Sequence, residues 1–493
     1  MAKPAFDNQK YLELQSTYIK ERIAAFDNKL YLEFGGKLFD DEHAARVLPG
    51  FKPDSKLKML LKLKEQAEII IAINAADIAK NKLRGDLGIT YDVEVLRLID
   101  AFRSVGLYVG SVVITQYENQ SAALKFRTLL QKQGIKSYVH YKIAGYPNDV
   151  QKIVSDAGYG KNEYIVTQRP LVIVTAPGPG SGKMATCLSQ LYQEFQQGVK
   201  AGYAKFETFP VWNLPLKHPV NLAYEAATVD LNDVNMIDPL HLEAYGKTAV
   251  NYNRDVEIFP VLKAIMERIS GNCPYKSPTD MGVNQAGFCI NDDELCRKAG
   301  RDEIIRRYYQ TAEAVMRGNL APESLAKIKL LLSQAGTSAA DRKVVQAALD
   351  KAETAKTNAM AIELADGTIV CGRRTSLLDA PAACLLNALK VLGNIADEIP
   401  LISPEVIEPV AELKTGCLGN NNPMLHVDEV LLALAISAAS NQVSRRALQL
   451  LPQLRNTEAH STVIPGAMDR NILHKLGINV TNEAQFRTKK LYH

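Results

Sequence analysis

The stretch Pro170–Tyr192, PLVIVTAPGPGSGKMATCLSQLY, carries the residue types that could hold a phosphate. An apolar run, Leu171–Thr175, leads into a turn with Gly178, Gly180, Ser181 and Gly182, and then Lys183. Beyond it Met184, Leu188, Leu191 and Phe195 recur at helical spacing, and Gly198 stops the pattern. Backbone N–H groups of such a turn can face an anion, the helix N-terminus adds partial positive charge, and a lysine neutralises the outer phosphates. The pattern departs from the nucleotide-binding P-loop at two places: Pro177 replaces the first glycine, and Met184 stands where a hydroxyl would bind Mg²⁺. Thr186 is the nearest hydroxyl, two residues on. The alternative reading is a tight strand-to-helix turn whose glycines allow close packing.

Carboxylates that could hold a metal or act as a base follow in AATVDLNDVNMIDPLHLE, foremost Asp230 and Asp233. The expectation is therefore a site with Lys183, Asp230 and Asp233 as catalytic groups. Gly178, Gly180, Ser181, Gly182, Lys183 and Thr186 would bind the cofactor, a nucleotide with Mg²⁺ being the one this pattern would take. The same region offers His218, Glu225 and His241, but no helical metal-binding spacing unites them, and separate hydrogen-bonding roles compete. Arg254, Lys276 and Asp280 are further candidates for an anionic substrate, FGGK at Phe34–Lys37 for a second phosphate turn, and CGRRTSLLDAP for an anion site before a helix. His460 lies beside two hydroxyls in EAHST, an adjacency that is not a catalytic triad.

The elements that must position these residues alternate along the first half of the chain. Apolar strand-like runs at 29–37, 67–78, LYVGSVVITQY and IKSYVHYKI are separated by helical patterns such as YDVEVLRLIDAFRSVG and SAALKFRTLLQKQG. Such alternation predicts an α/β fold with a doubly wound, mostly parallel sheet, whose ligands bind beyond the carboxyl ends of the strands. A charged helical segment follows, and then a hairpin signalled by Asp366-Gly367, with further helices and short strands. The expected division is 1–290, an α/β domain with the P-loop-like turn; 291–360, a helical subdomain; and 361–493, a smaller C-terminal α+β domain.

At 493 residues, 47% of them hydrophobic, the chain can bury more than one core. Its 58 basic and 54 acidic residues nearly cancel, which gives no ground for nucleic-acid binding. No apolar run is long enough for a membrane span, and the basic amphipathic stretch KPDSKLKMLLKLKEQ reads as a surface helix. Seven cysteines with no C-x-x-C pair fit reduced thiols in a cytoplasmic protein. The partner expected is a phosphorylated small molecule, with a homo-oligomer left open.

FGGKLFDDEHAARVLPGF, TAPGPGSGKMATCLSQLY, AKFETFPVWNLPLKHPVNLAYEAAT, DLNDVNMIDP and YKSPTDMGVN together resemble the bacterial domain-of-unknown-function 1846 family. The likeness runs nearly the whole chain, to the final LYH. It implies a multidomain fold with an α/β N-terminal part, a helical part and an α/β C-terminal part; it assigns no catalytic residues. The segment CGRRTSLLDAP diverges from a more lysine- and glycine-bearing form, which weakens an anion site there. The functional expectation is an enzyme of transferase or ligase type acting on a nucleotide or other phosphorylated metabolite; the alternative is a non-catalytic phosphate-ligand sensor or oligomeric scaffold.

Overall fold

The computed structural model describes residues 4–36, 38–39, 41–84 and 87–486. Lys37 and the terminal LYH, named above, lie outside the described residues. The chain forms two compact units, 1–300 and 301–493.

In the first unit the apolar runs become six strands: β1 (Leu30–Phe34), β2 (Ala67–Asn74), β3 (Tyr108–Tyr117), β4 (Ser137–Tyr141), β5 (Leu171–Thr175) and β6 (Gly202–Phe206). They form one sheet in the order β4-β3-β2-β5-β1-β6, parallel at every pairing. All five residues of β5 are buried, as expected for a central strand covered on both faces. The helical patterns become α1 (Tyr91–Ser104), α2 (Ser121–Lys132), α3 (Lys183–Gln196) and α4 (Asn253–Ser270). Cys187, Leu188 and Leu191 of α3 pack with Phe259, Leu262 and Ile265 of α4 over Val172 and Val174.

The order of strands matters for function. The chain moves outward from β2 to β4, returns to place β5 between β2 and β1, and then passes over β1 to β6. Connections leaving β2 and β5 therefore run in opposite directions, and a crevice opens at their carboxyl ends. The loop 176–182 leaves β5 at that point.

The second unit holds a smaller mixed sheet of β7 (Ala359–Glu363), β8 (Ile369–Arg373), β9 (Glu458–Ser461) and β10 (Asn479–Asn482), ordered β8-β7-β9-β10. The β7–β8 hairpin turns at Asp366-Gly367, and only β9–β10 is parallel. One face is covered by α5 (Lys343–Ala355), whose Val344 and Ala348 pack on Ala361. A larger core on α6 (Ala380–Gly393), α7 (Val427–Ser437) and α8 (Ala467–Lys475) includes Leu385, Leu389, Val430, Leu434 and Leu473. The helical stretch expected as a separate subdomain at 291–360 is thus drawn largely into this unit. Arg306 and Arg342 bind Glu458 of β9, and α5 packs on the sheet through Val344 and Ala348. Among the described residues no helix is long and apolar enough to cross a membrane.

Candidate functional site

The loop after β5 is built so that its carbonyls face the protein and its amides do not. Ser181 Oγ donates to the Gly178 carbonyl (2.9 Å), Asn74 Nδ2 to that of Gly180 (3.3 Å), and Thr115 Oγ1 to that of Ser181 (2.8 Å). No hydrogen-bond acceptor among the described residues takes the N–H groups of Gly178, Gly180, Gly182, Lys183 or Met184. Gly182 caps α3 with φ +82°, a left-handed conformation costly for any side chain, and a Cβ there would meet Thr115 Oγ1 at 2.9 Å. Gly178 packs directly under the Tyr91 hydroxyl, with no room for a Cβ. The result is a run of unspent donors at the positive end of a 14-residue helix.

These donors border a cavity of about 920 Å³, whose lining includes Gly178, Gly180, Lys183 and Met184. Phe34, Gly35 and Gly36, from the second candidate turn, line it too. A cluster of charges lines the same cavity. Glu33, next to last in β1, pairs in register with Lys205 of β6; Tyr203 Oη donates to Glu33 Oε2 at 2.6 Å. Lys205 Nζ lies 2.5 Å from Asp255 Oδ2 and 3.2 Å from Glu207 Oε1. Arg254 reaches Asp233 at 3.5 Å.

The electrostatics follow from this crowding. Burial disfavours the Lys205 charge, but Asp255, Glu207 and Glu33 outweigh it and hold the ammonium protonated far above the ordinary range. Burial, then the neighbouring carboxylates Asp255 and Glu33, push the Glu207 carboxyl up against the pull of Lys205. Five carboxylates (Glu33, Glu207, Asp233, Asp255 and Glu257) and five cations (Arg84, Arg97, Lys183, Lys205 and Arg254) line one cavity. Such groups can hydrogen-bond hydroxyl or amine groups and move a proton, while the glycine turn receives an anion.

The residues expected from sequence separate into groups. Gly178, Gly180, Lys183 and Asp233 come together at the cavity, joined by Arg254. Ser181 and Thr186 are fully buried, and Thr186 Oγ1 donates to the Gly182 carbonyl at 2.9 Å within its own helix. Asp230 is exposed on a one-turn helix, Val229–Leu231, and does not line the cavity. The histidines do not converge: His218 pairs with Asp293 (2.9 Å), and His241 with Ser277 (3.0 Å), while Glu225 holds Asn235 (3.1 Å). Asp280 accepts from Tyr245 Oη and the Lys276 N–H outside the cavity. His460 is buried between Thr481 (2.9 Å) and Glu483 (3.3 Å). Lys56, from the basic amphipathic stretch, is itself buried against Asp41 at 2.7 Å.

Sequence reasoning passed over Glu33, Tyr203, Lys205, Glu207 and Asp255. A local signal existed: Tyr203 and Lys205 alternate at period two on one face of β6, Glu207 follows at the same spacing just past its end, and Glu33 is a lone charge in the apolar run LYLEF. What no local signal carried was the adjacency of β1 and β6.

Comparison with known proteins agrees with the likeness read from the motifs. Residues 4–336 match the profile described as "Domain of unknown function DUF1846, N-terminal", and residues 340–492 its C-terminal counterpart. The protein named "UPF0371 protein stu1377" of Streptococcus thermophilus is 57% identical over 492 residues, covering 100% of both chains. A "UPF0371 protein" of Streptococcus pneumoniae (strain JJA) is likewise 57% identical, again across 100% of both. With both profiles filling the chain and relatives aligned end to end, the protein belongs to the DUF1846 family.

Proposed function

We propose that the first unit is an enzyme of transferase or ligase type that anchors a nucleotide or other phosphorylated small metabolite at the P-loop-like turn 178–183. One observation carries this reading: Gly178 and Gly180, whose amides are unspent, and Lys183 line a large cavity that also bears a carboxylate–lysine cluster. The phosphate would take the loop N–H groups and the α3 N-terminus, and Lys183 would neutralise its charge. The remainder of the metabolite would face Glu33, Glu207 and Asp255. Asp233, held by Arg254, supplies a base, and Glu207, whose carboxyl is pushed up by burial and like charge, supplies an acid.

A second reading, a phosphate-ligand sensor, draws on Met184 and Thr186. The first carries no hydroxyl and the second turns its hydroxyl into the helix, so the turn offers Mg²⁺ no alcohol ligand. Thermal stabilisation by nucleotides and sugar phosphates, with and without Mg²⁺, tests both. A ligand at 100 times its dissociation constant should add about 2.7 kcal/mol of stability, and Lys183→Ala should remove most of it. No shift with any phosphorylated ligand, or one that survives Lys183→Ala, would refute the phosphate site. Turnover of a stabilising ligand that is lost in Asp233→Asn would separate the enzyme from the sensor.

A further inference from the structure

The second unit contains a cluster that shares no residue with the cavity just described. Asp379 is the N-cap of α6, His426 the N-cap of α7, and Asp469 lies in the first turn of α8. The ligand atoms of these three side chains all lie within 4.8 Å of one another. His426 Nδ1 stands 2.9 Å from Asp469 Oδ2 and 3.7 Å from Asp379 Oδ2. Two donors bound at about 2.1 Å to one ion lie about 3.0 Å apart at an octahedral corner and about 3.4 Å apart in a tetrahedron. The observed separations bracket those values.

The aim of the carboxylates is fixed from behind. Asp469 Oδ1 accepts the Val427 N–H (2.8 Å) and Asp379 Oδ1 accepts the Ala380 N–H (2.9 Å). Each therefore turns its second oxygen toward the same imidazole nitrogen, the kind of outer support that orients metal ligands. Asp379 is 1% exposed and Asp469 fully buried, whereas the His426 side chain is 26% exposed. Lys414 is committed to Glu429 and the Met424 carbonyl, both at 2.7 Å.

We infer that Asp379, His426 and Asp469 bind one divalent transition-metal ion, with open coordination positions on the side where His426 meets solvent. Two oxygens and one imidazole suit Zn²⁺ or Mn²⁺. Calcium takes six to eight oxygens, and copper(I) wants sulfur. Three protein ligands with an open position are the arrangement of an ion that holds a water or a substrate oxygen, not of a closed structural site.

The test uses the tag-free full chain, stripped with chelator and titrated with Zn²⁺ and with Mn²⁺ by calorimetry. One equivalent should bind the wild type, at least about 100-fold more tightly than it binds Asp469→Asn or His426→Gln. The asparagine keeps an acceptor for the Val427 N–H, so the fold contact survives. Anomalous diffraction at the metal edge on wild-type crystals locates the ion without any substitution, and a peak among the three side chains is expected. No stoichiometric binding to the wild type, affinity unchanged in the folded variants, or a peak elsewhere would overturn the site and leave His426–Asp469 a hydrogen-bonded pair.

Discussion

Lys205→Met is the most informative perturbation of the N-terminal cavity. The lysine stands 2.5 Å from Asp255 and 3.2 Å from Glu207, with side-chain exposures of 13%, 11% and 27% for the three residues. Methionine keeps the length and apolar stem but leaves two carboxylates facing each other in a poorly solvated wall. Removing one partner of a buried ion pair costs about 3–5 kcal/mol; the mouth of the cavity admits some water to Glu207, so the lower end, about 3 kcal/mol, is expected. Urea unfolding followed by fluorescence reads this cleanly, because Trp212 is the only tryptophan and lies in the first unit, its Nε1 donating to the Asn284 carbonyl. Adding Asp255→Asn to Lys205→Met should recover a large part of the loss, since the second substitution removes the stranded charge. A Lys205→Met chain within about 0.5 kcal/mol of wild type, or a double variant whose losses simply add, would refute the picture of one coupled cluster.

Glu207→Gln should act in the opposite sense. Burial and like charge raise the Glu207 carboxyl above its unfolded value, so its stabilising contribution is complete below about pH 4.3 and is lost as pH rises through the folded value. At pH 7 the glutamine variant should therefore unfold at an equal or higher urea midpoint, even if activity falls; a lower midpoint would contradict the assignment. Gly178→Ala drives a Cβ into the Tyr91 hydroxyl and should cost about 1–3 kcal/mol by the same fluorescence measurement, whereas a neutral effect would mean that Tyr91 moves freely aside. In the second unit, burial alone would raise Glu313, but Arg470 at 2.9 Å and Arg317 at 2.8 Å hold it below the usual carboxylate range. That contribution is present above the unfolded value and lost as pH falls through the folded one, so Arg470→Met should move the acid-unfolding midpoint, followed by circular dichroism, to higher pH.

What the sequence determined by itself is local. Apolar runs long enough for a buried strand and helical periodicity longer than two turns fixed the α/β alternation, because side-chain spacing of two or 3.6 is written in neighbouring residues. The strand, glycine turn and helix at 171–196 were legible for the same reason, as was the hairpin at Asp366-Gly367. The tertiary structure alone decided which strands are neighbours. Insertion of β5 between β2 and β1, with β6 on the far edge of β1, brings Glu33 beside Tyr203, 170 residues away, and assembles a charged wall that no spacing rule contains. The same holds for Asp379, His426 and Asp469, which sit at the starts of three helices and meet only when those helices pack. Conversely, hydroxyls and histidines that looked available in the chain, such as Thr186 and His460, are consumed by buried hydrogen bonds. A buried polar group must find a partner, and which partner is nearest is settled by packing rather than by sequence distance.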